Sequence, residues 1–416
     1  MSFRPPKGTD DILPPDSRRW RRVLGVFDDF AERYGYDLVI VPVFDSTDVF
    51  ARGVGEGTDV VQKEMYTFED RGGRSITLRP EATASVVRAY LGSGSQIPMK
   101  LAYAGPMFRY ERPQAGRRRQ FWQVGVEYLG EDSPQADVEV IELGYRFYRA
   151  IGLEGLEVQV NSLGDPTTRA GYRQALVSFL EGISGDLTQD SRRRIATNPL
   201  RVFDSKQDRE KLEGAPLPLD FLDEAAADHY RAVKGGLDDA GIPFVENGLL
   251  VRGLDYYTRT VFEYVATGLD AAQNAVGGGG RYDQLAEVLG GRHVPAVGFS
   301  LGIDRILLAL GSGPVDRSAL DAYIIVAEEN RRGQATGLLR RLRDRGLRTD
   351  MEPGSRSVKA QFKSADRRQA QAAIVVGDEW EAGEVTIRDL DSGEEARVAN
   401  DADSISAHIR AGNEVQ

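Results

Sequence analysis

The sequence predicts a mixed α+β protein: a large N-terminal body that includes an antiparallel hairpin, a small helical insertion, and a separate C-terminal unit of alternating strands and helices. Three observations carry this. Residues 105–130 (GPMFRYERPQAGRRRQFWQVGVEYLG) form two alternating strand-like runs around a loop rich in proline, glycine and arginine. Residues 185–240 change to short helical patterns around Arg192, Arg193 and Arg194. From Asp321 onward, β-rich and amphipathic runs alternate over about a hundred residues, the size of an independent domain.

Along the chain, residues 1–15 read as an extended, proline-punctuated lead. Asp16 or Ser17 can cap a helix to about Tyr34, with Trp20, Val23, Leu24, Phe27, Phe30 and Ala31 on one stripe and Gly35 as its stop. Residues 37–43 read as a strand, and the glycine-rich 52–59 (RGVGEGTD) as a mobile loop. Residues 65–69 and 75–78 pair as a hairpin turning at Arg71, Gly72 and Gly73; LRPEAT (78–83) then leads into a helix through Tyr90. After the strands at 100–108 and about 121–128 come a helix at 137–150, a strand at 157–161 and a helix at 167–180. Beyond the insertion, 248–264 (GLLVRGLDYYTRTVFEY) hold two short strands around Gly253, and 277–283 (GGGGRYD) form a tight turn. Residues 298–310 read as a strand and then a buried helix with Arg305 one turn in, and 311–316 as a linker. The C-terminal unit reads as strands at 322–327, 347–351, 372–376, 384–390 and 395–398, with helices at 333–345, 358–368 and ending near Arg410.

Composition narrows the function classes. A chain of 416 residues exceeds one core and implies two or three domains. The net charge of −11 argues against a protein that coats nucleic acid through its global field, so any such contact uses local basic patches. With no cysteine there is no disulfide, thiolate nucleophile or cysteine zinc site, which fits the cytoplasm. Three histidines, His229, His293 and His408, are too scattered for a histidine metal site or a Ser-His-Asp triad. The N-terminus has no apolar core and reads as no signal peptide, and no run reaches the ~20 apolar residues of a membrane span.

The hairpin carries the densest chemistry. On its second strand Trp122, Val124, Val126 and Tyr128 share one face; Phe121, Gln123, Gly125 and Glu127 share the other. Arg109 and Glu111 share a face of the first strand by the same count. Arginines, carboxylates, an amide and a ring on one surface suit a bound anion plus a flat ring. An amphipathic hairpin facing water is the plainer alternative, and it sits poorly with the partly apolar mixed face. Glu81 stands near a helix start, where an acid is also comfortable for purely structural reasons. There is no GxxxxGK[ST] or GxGxxG, so a nucleotide site must be built from side chains.

These segments resemble the histidyl-tRNA synthetase family, within the class II aminoacyl-tRNA synthetases, over essentially the whole chain. Residues 41–50 are similar to class II motif 1 through Pro42, although Asp45 stands where that family usually has Glu. FRYERPQAGRRRQFWQVGVEYLG resembles motif 2, and GFSLGIDRI resembles motif 3 with its arginine at Arg305. LVRGLDYYTRTVFE resembles the family's own signature. LRPEAT resembles its substrate segment, with Ala82 where Gly is usual.

The resemblance implies a class II antiparallel catalytic sheet flanked by helices (residues 1–316, insertion about 185–240) and a C-terminal α/β anticodon-binding domain (317–416). It implies an obligate homodimer through motif 1. The implied reaction joins L-histidine to tRNA-His through a histidyl-adenylate, with ATP carrying Mg²⁺ on its phosphates and no dedicated protein metal site. By resemblance, Arg109 and Arg252 are the catalytic pair on the α-phosphate and the substrate carboxylate. Phe121 and Arg305 sandwich the adenine, Glu111 holds its amino group, and Arg117 reaches the γ-phosphate. Glu81, Ala82, Thr83 and Gln123 surround the histidine α-ammonium. Glu127 and Tyr257 hold the imidazole, with Tyr256 beside them and Tyr282 and the glycines at 277–280 as walls. RNA-contact candidates are Arg117, Arg118 and Arg119; Arg192, Arg193 and Arg194; and Arg356, Lys359, Lys363, Arg367 and Arg368. Two rivals predict less: a synthetase-like regulatory subunit of the histidine-biosynthetic phosphoribosyltransferase, which loses the C-terminal domain and key arginines, and a non-catalytic RNA-binding module.

Overall fold

The computed structural model describes residues 3–205, 207–269, 274–311 and 320–414. The chain divides into two compact units, Met1–Gly311 and Ser312–Gln416. Most of the expected linker at 311–316 lies outside the described residues.

The first unit opens with α1 (Asp16–Arg33), which buries Trp20, Val23, Phe27 and Ala31 as its apolar spacing requires. Asp16 is the first helical residue rather than the cap. β1 (Asp37–Leu38) is much shorter than the strand expected over 37–43. The chain leaves the sheet because Arg79 claims its next acceptors: the Arg79 guanidinium donates to the Val41 carbonyl at 3.0 Å, and its backbone N–H donates to that of Val43 at 2.9 Å. β2 (Phe44–Ser46) and α2 (Thr47–Val54) follow. The loop expected over 52–59 is therefore partly helical: Phe50 and Val54 are buried with Val60 and Ala84, and that packing carries α2 to Val54. A five-residue π turn, Val60–Glu64, comes next. β3 (Tyr66–Glu69) and β4 (Ser75–Leu78) form the expected hairpin, with β4 between β2 and β3 in a three-stranded sheet. α3 (Thr83–Ser93) then leads to the long pair β5 (Met99–Phe108) and β6 (Gln120–Leu129).

α4 (Pro134–Ala150), β7 (Leu156–Ser162), α5 (Pro166–Gly182) and α6 (Gln189–Thr197) come next. α5 and α6 share a small core of their own, from Tyr172 through Leu176 and Ile195 to Ala215. α7 (Glu224–Asp239), inside the span read as insertion, instead buries Tyr230, Val233 and Leu237 in the main core. The unit closes with β8 (Phe244–Glu246), β9 (Thr258–Ala266), β10 (Ala275–Arg281), the short α8 (Leu285–Val288), β11 (Ala296–Gly302) and α9 (Ile303–Ala309).

Eight strands make the main sheet in the order β1-β5-β6-β11-β10-β9-β7-β8; only the outer pairs β1–β5 and β7–β8 are parallel. Helices α1, α4 and α7 bury one face against Val124, Val126, Phe262 and Phe299. Two sequence readings fail here. The glycines at 277–280 lie inside β10, not in a turn, paired on both sides with β9 and β11. Residues 248–257 are irregular, and one strand, β9, begins only at Thr258.

The second unit runs β12 (Leu320–Val326), α10 (Arg332–Asp344), β13 (Thr349–Met351), α11 (Val358–Arg367), β14 (Ala370–Val376), β15 (Glu384–Asp389), β16 (Glu395–Ala399) and α12 (Ala402–Glu414). Its sheet order is β13-β12-β14-β15-β16, parallel across β13-β12-β14 and antiparallel beyond. α10 and α12 cover one face, with Leu338, Leu342 and Ile405 fully buried; Ala365 of α11 packs under the other with Tyr323 and Ile325.

Candidate active site

The face of the main sheet opposite the α1–α4–α7 core is built by register. Across the strands, Tyr103, Gly125, Ser300, Gly278 and Glu263 stand side by side. The next row is Leu101, Glu127, Gly298, Gly280 and Val261. Directly paired residues of antiparallel strands share a face, so this surface is paved with glycine where other sheets carry side chains. Each of these glycines receives a functional group. A Cβ on Gly298 would lie 1.9 Å from a Glu127 carboxylate oxygen, and one on Gly278 would lie 2.8 Å from Arg252 Nη1. On Gly280 a Cβ would meet the Tyr257 ring at 2.9 Å, and on Gly125 the Tyr103 hydroxyl at 2.3 Å. The glycines thus let side chains lie flat on the sheet.

Above this floor is a cavity of about 680 Å³ lined by Glu81, Arg109, Glu111, Arg117, Phe121, Gln123, Arg252, Tyr257 and Arg305. Nine of the thirteen residues given a direct role on histidine or ATP therefore converge on one space, with Gly277 and Gly278 of the expected walls. Ala82, Thr83, Glu127 and Tyr256 are not on its lining. All four are nonetheless near it. Thr83 Oγ1 donates to Glu127 at 2.6 Å, Tyr282 donates to the other Glu127 oxygen, and the Tyr256 ring lies 4.6 Å from that of Tyr257 and 5.6 Å from that of Tyr282. Ala82 is fully buried beside Glu81.

Local geometry explains each cation. Arg109 and Glu111 do not share a strand face, because β5 ends at Phe108 and both lie in the following loop. Arg109 Nε donates to the Pro80 carbonyl at 2.9 Å, and its guanidinium lies 5.4 Å from the Phe121 ring centre, a cation–π geometry. Arg252 Nη1 donates to Glu263 at 2.6 Å, while its Nε is buried with no hydrogen-bond partner. Burial opposes its charge, and Tyr257 and Glu263 outweigh that, so its pKa is raised. Arg305 lies in the first turn of α9 and donates to the carbonyls of Ala275 at 2.7 Å and Gly116 at 3.3 Å. With Arg117, Arg118, Arg194 and Arg201 also on the lining, seven guanidinium groups around one cleft favour a polyanion.

The carboxylates differ. Glu81 accepts from the backbone N–H groups of Thr83 (2.7 Å) and Ala84 (2.9 Å), so it also caps the start of α3; burial raises its pKa against those bonds. Burial pushes Glu127 up to about 8, against the hydroxyls of Thr83 and Tyr282 and with the help of Glu81. Glu111 pairs with Arg117 at 3.5 Å. Gln123 donates to Ser300 at 3.2 Å and keeps a buried, unpartnered oxygen. Among the described residues no cluster of His, Asp or Glu forms a group that could hold a metal ion.

Sequence reading missed several lining residues, chiefly Glu64, Arg201 and Glu263. Glu263 had a signal: strand alternation sets it on one face with Val261, and a carboxylate inside a buried strand needs a cation. Arg201 had none, because its approach depends on how α6 folds back. Of the basic candidates, Arg118 bridges Asp10 and Asp304 at 3.2 Å each, Arg119 stacks on Tyr110, and Arg194 pairs with Asp190 at 2.9 Å. On α11, Lys359 and Lys363 are exposed. No helix among the described residues is long and apolar enough to cross a membrane.

Known proteins resemble this chain over nearly its whole length. A family model described as histidyl-tRNA synthetase matches residues 8–306, and one described as anticodon binding domain matches 321–403. The chain is 49% identical over 414 residues to a histidine–tRNA ligase of Desulforudis audaxviator, covering 96% of this chain and 97% of that protein. It is 47% identical over 415 residues to the enzyme of the same name from Saccharopolyspora erythraea, covering 98% of each. The solved apo histidyl-tRNA synthetase of S. aureus is 38% identical, with a TM-score of 0.75 over 99% of both chains.

Proposed function

This chain belongs to the histidyl-tRNA synthetase family, and on that premise we propose that the glycine-floored cavity is where L-histidine and ATP are joined before transfer to tRNA-His. The enzyme is a histidine–tRNA ligase of class II. The observation that carries the site assignment is that Arg109, Arg252 and Arg305, from three distant segments, line one cavity with Glu81, Gln123 and Tyr257.

The histidine carboxylate attacks the α-phosphorus of ATP; the bond to the bridging oxygen breaks and pyrophosphate leaves. Arg109 and Arg252 approach that phosphorus from opposite sides and neutralise the charge that gathers on its oxygens. Fixed guanidinium forks suit this, because they need no reorganisation as the charge develops. Phe121 and Arg305 flank the adenine, Glu111 takes its amino group, and Arg117 meets the γ-phosphate. Mg²⁺ travels with the ATP phosphates, and no protein cage is assigned to it. A terminal ribose hydroxyl of tRNA-His then attacks the adenylate carbonyl, releasing AMP. Neither step uses a protein nucleophile, so alignment and charge do the work.

Glu81, Thr83 and Gln123 bind the α-ammonium beside Ala82. Glu127 and Tyr257 take the two imidazole nitrogens, with Tyr256 and Tyr282 behind them. An amino acid without that ring leaves buried polar groups unmatched, which discriminates by ~10⁴–10⁵ without editing.

We read residues 1–316 as catalytic and 317–416 as anticodon-binding, with Lys359, Lys363 and Arg367 of α11 and Arg192 and Arg193 of α6 as tRNA contacts. We propose a homodimer through the edge near β1 and β2, supported by the exposed Leu38, Ile40, Val43 and Phe44. Cytoplasmic residence fits a cysteine-free chain. Histidine-dependent ATP–pyrophosphate exchange, followed by charging of total tRNA with twenty separate amino acids, tests the reading. Exchange with histidine alone is expected; binding of tRNA without exchange would favour a regulatory or RNA-sensing role.

A further inference from the structure

Arg252 sits on a segment that cannot hold itself. Residues 249–257 contain no helix or strand, yet they carry Arg252 and Tyr257. What fixes them comes from outside. Arg201, from the 3₁₀ turn after α6, donates to the Gly253 carbonyl at 2.9 Å. Asn198, which caps the C-terminus of α6, donates its side-chain N–H to Asp255 Oδ1 at 3.0 Å. Arg169 of α5 donates to the Tyr257 carbonyl. On the other side, the Asp255 N–H donates to the Val54 carbonyl at 3.1 Å, and a Cβ on Gly55 would stand 2.7 Å from Asp255 Oδ2. α6 is itself tied to that side, with Arg194 3.5 Å from Asp59.

We infer that the small unit built on the α5–α6 core is a working part of the catalytic apparatus: Asn198 and Arg201 are positioning residues that latch the 251–257 segment so that Arg252 meets the reacting phosphate. This rests on the assignment of Arg252 above. Arg201 and Asn198 act on neighbouring points of the segment, so losing either lets Arg252 drift along Glu263, the carboxylate that accepts from it at 2.6 Å. A displacement near 1 Å at a catalytic group costs on the order of 10²-fold in rate; one latch of several should cost about a tenth of that.

The charge environment makes the latch separable from general stability. Asp255 is held up in pKa by burial, against Asn198, Arg201 and Arg169, the groups that face it. Asn198→Asp would place a second carboxylate at the hydrogen bond, and two carboxylates that close share a proton as pH falls.

The experiment uses the full chain and reads pyrophosphate exchange at pH 6 and pH 8, with Tm recorded for each variant. Asn198→Ala and Arg201→Met should each lower kcat about tenfold at pH 8, with the KM for ATP within about twofold and Tm nearly unchanged. Asn198→Asp should be worse than Asn198→Ala at pH 8 and recover towards it at pH 6. Arg201→Lys, which still offers one N–H to Gly253, should regain much of the loss. Arg252→Ala is run alongside. If it is inactive while the latch variants exchange at the wild-type rate, or lose rate only in proportion to their folded fraction, the latch is overturned and the assignment of Arg252 stands. If Arg252→Ala is itself active, that assignment fails and takes the latch with it.

Discussion

Replacing Glu127 with Gln should change how histidine use depends on pH. Glu127 is 1% exposed, and both its oxygens accept hydroxyl hydrogens in a pocket with Glu81 nearby. Burial pushes its pKa up to about 8, so in the free enzyme near neutral pH the protonated form dominates, with one of the two hydroxyls turned to accept the acid proton. An imidazole arriving neutral can take that proton, giving an imidazolium–carboxylate pair with no net exchange with solvent. The expected kcat/KM for histidine is therefore a plateau, falling below ~6.5 as free imidazole protonates and above about 8 as Glu127 ionises. An amide cannot titrate. The Glu127→Gln variant should lose the limb due to Glu127, leaving the substrate's own ionisations, and should raise the KM for histidine about 10–100-fold, the scale of a buried charge-assisted hydrogen bond. Stability gives an independent sign. A carboxyl whose folded pKa lies near 8 rather than 4.5 destabilises the fold progressively as pH rises between those values, to an upper limit of roughly 4–5 kcal/mol. The Glu127→Gln variant should match the wild type in stability at pH 5 and surpass it at pH 9. Exchange at saturating ATP from pH 5.5 to 9.5 and thermal melts read both effects. An unaltered upper limb, or an equal rise in the KM for ATP, would refute the reasoning.

Other substitutions probe separate parts of the site. Gly278→Ala would set a Cβ 2.6 Å from the Phe262 carbonyl and 2.8 Å from Arg252 Nη1; exchange should fall ~10²-fold and stability by about 1–3 kcal/mol in urea melts. Arg305→Ala should raise the KM for ATP roughly tenfold in exchange assays and leave that for histidine nearly unchanged. Arg281→Met removes a guanidinium 2.8 Å from Asp137 with both side chains fully buried and leaves that carboxylate only the His229 ring at 3.3 Å, so the broken buried pair should cost about 3–5 kcal/mol by denaturant melt.

How much of this was legible in the sequence depended on whether the deciding contacts were local. The stripe of α1 and the alternation of β6 follow from side-chain period, and both were read correctly: Val124 and Val126 face the α1–α4 core, whereas Phe121 packs with the α3 cluster. β10 was not legible, because four successive glycines are poor strand formers by propensity. Their reason is tertiary: a Cβ on Gly279 would lie 1.9 Å from the Gly298 carbonyl, and one on Gly277 would lie 2.4 Å from Leu301. Residues 249–257 look β-rich, yet neighbouring elements hold them irregular. Candidate residues were read more fully than their mutual placement, since residue types mark the chemistry but registers set the geometry.

Pyrophosphate exchange by Arg252→Ala tests the central claim most directly. With its fold intact by circular dichroism, the variant should form adenylate at least ~10²-fold more slowly, the usual scale for removing one preorganised donor to a developing oxyanion. Exchange near the wild-type rate would mean that the guanidinium lying over Gly278 does not act on the reacting phosphorus.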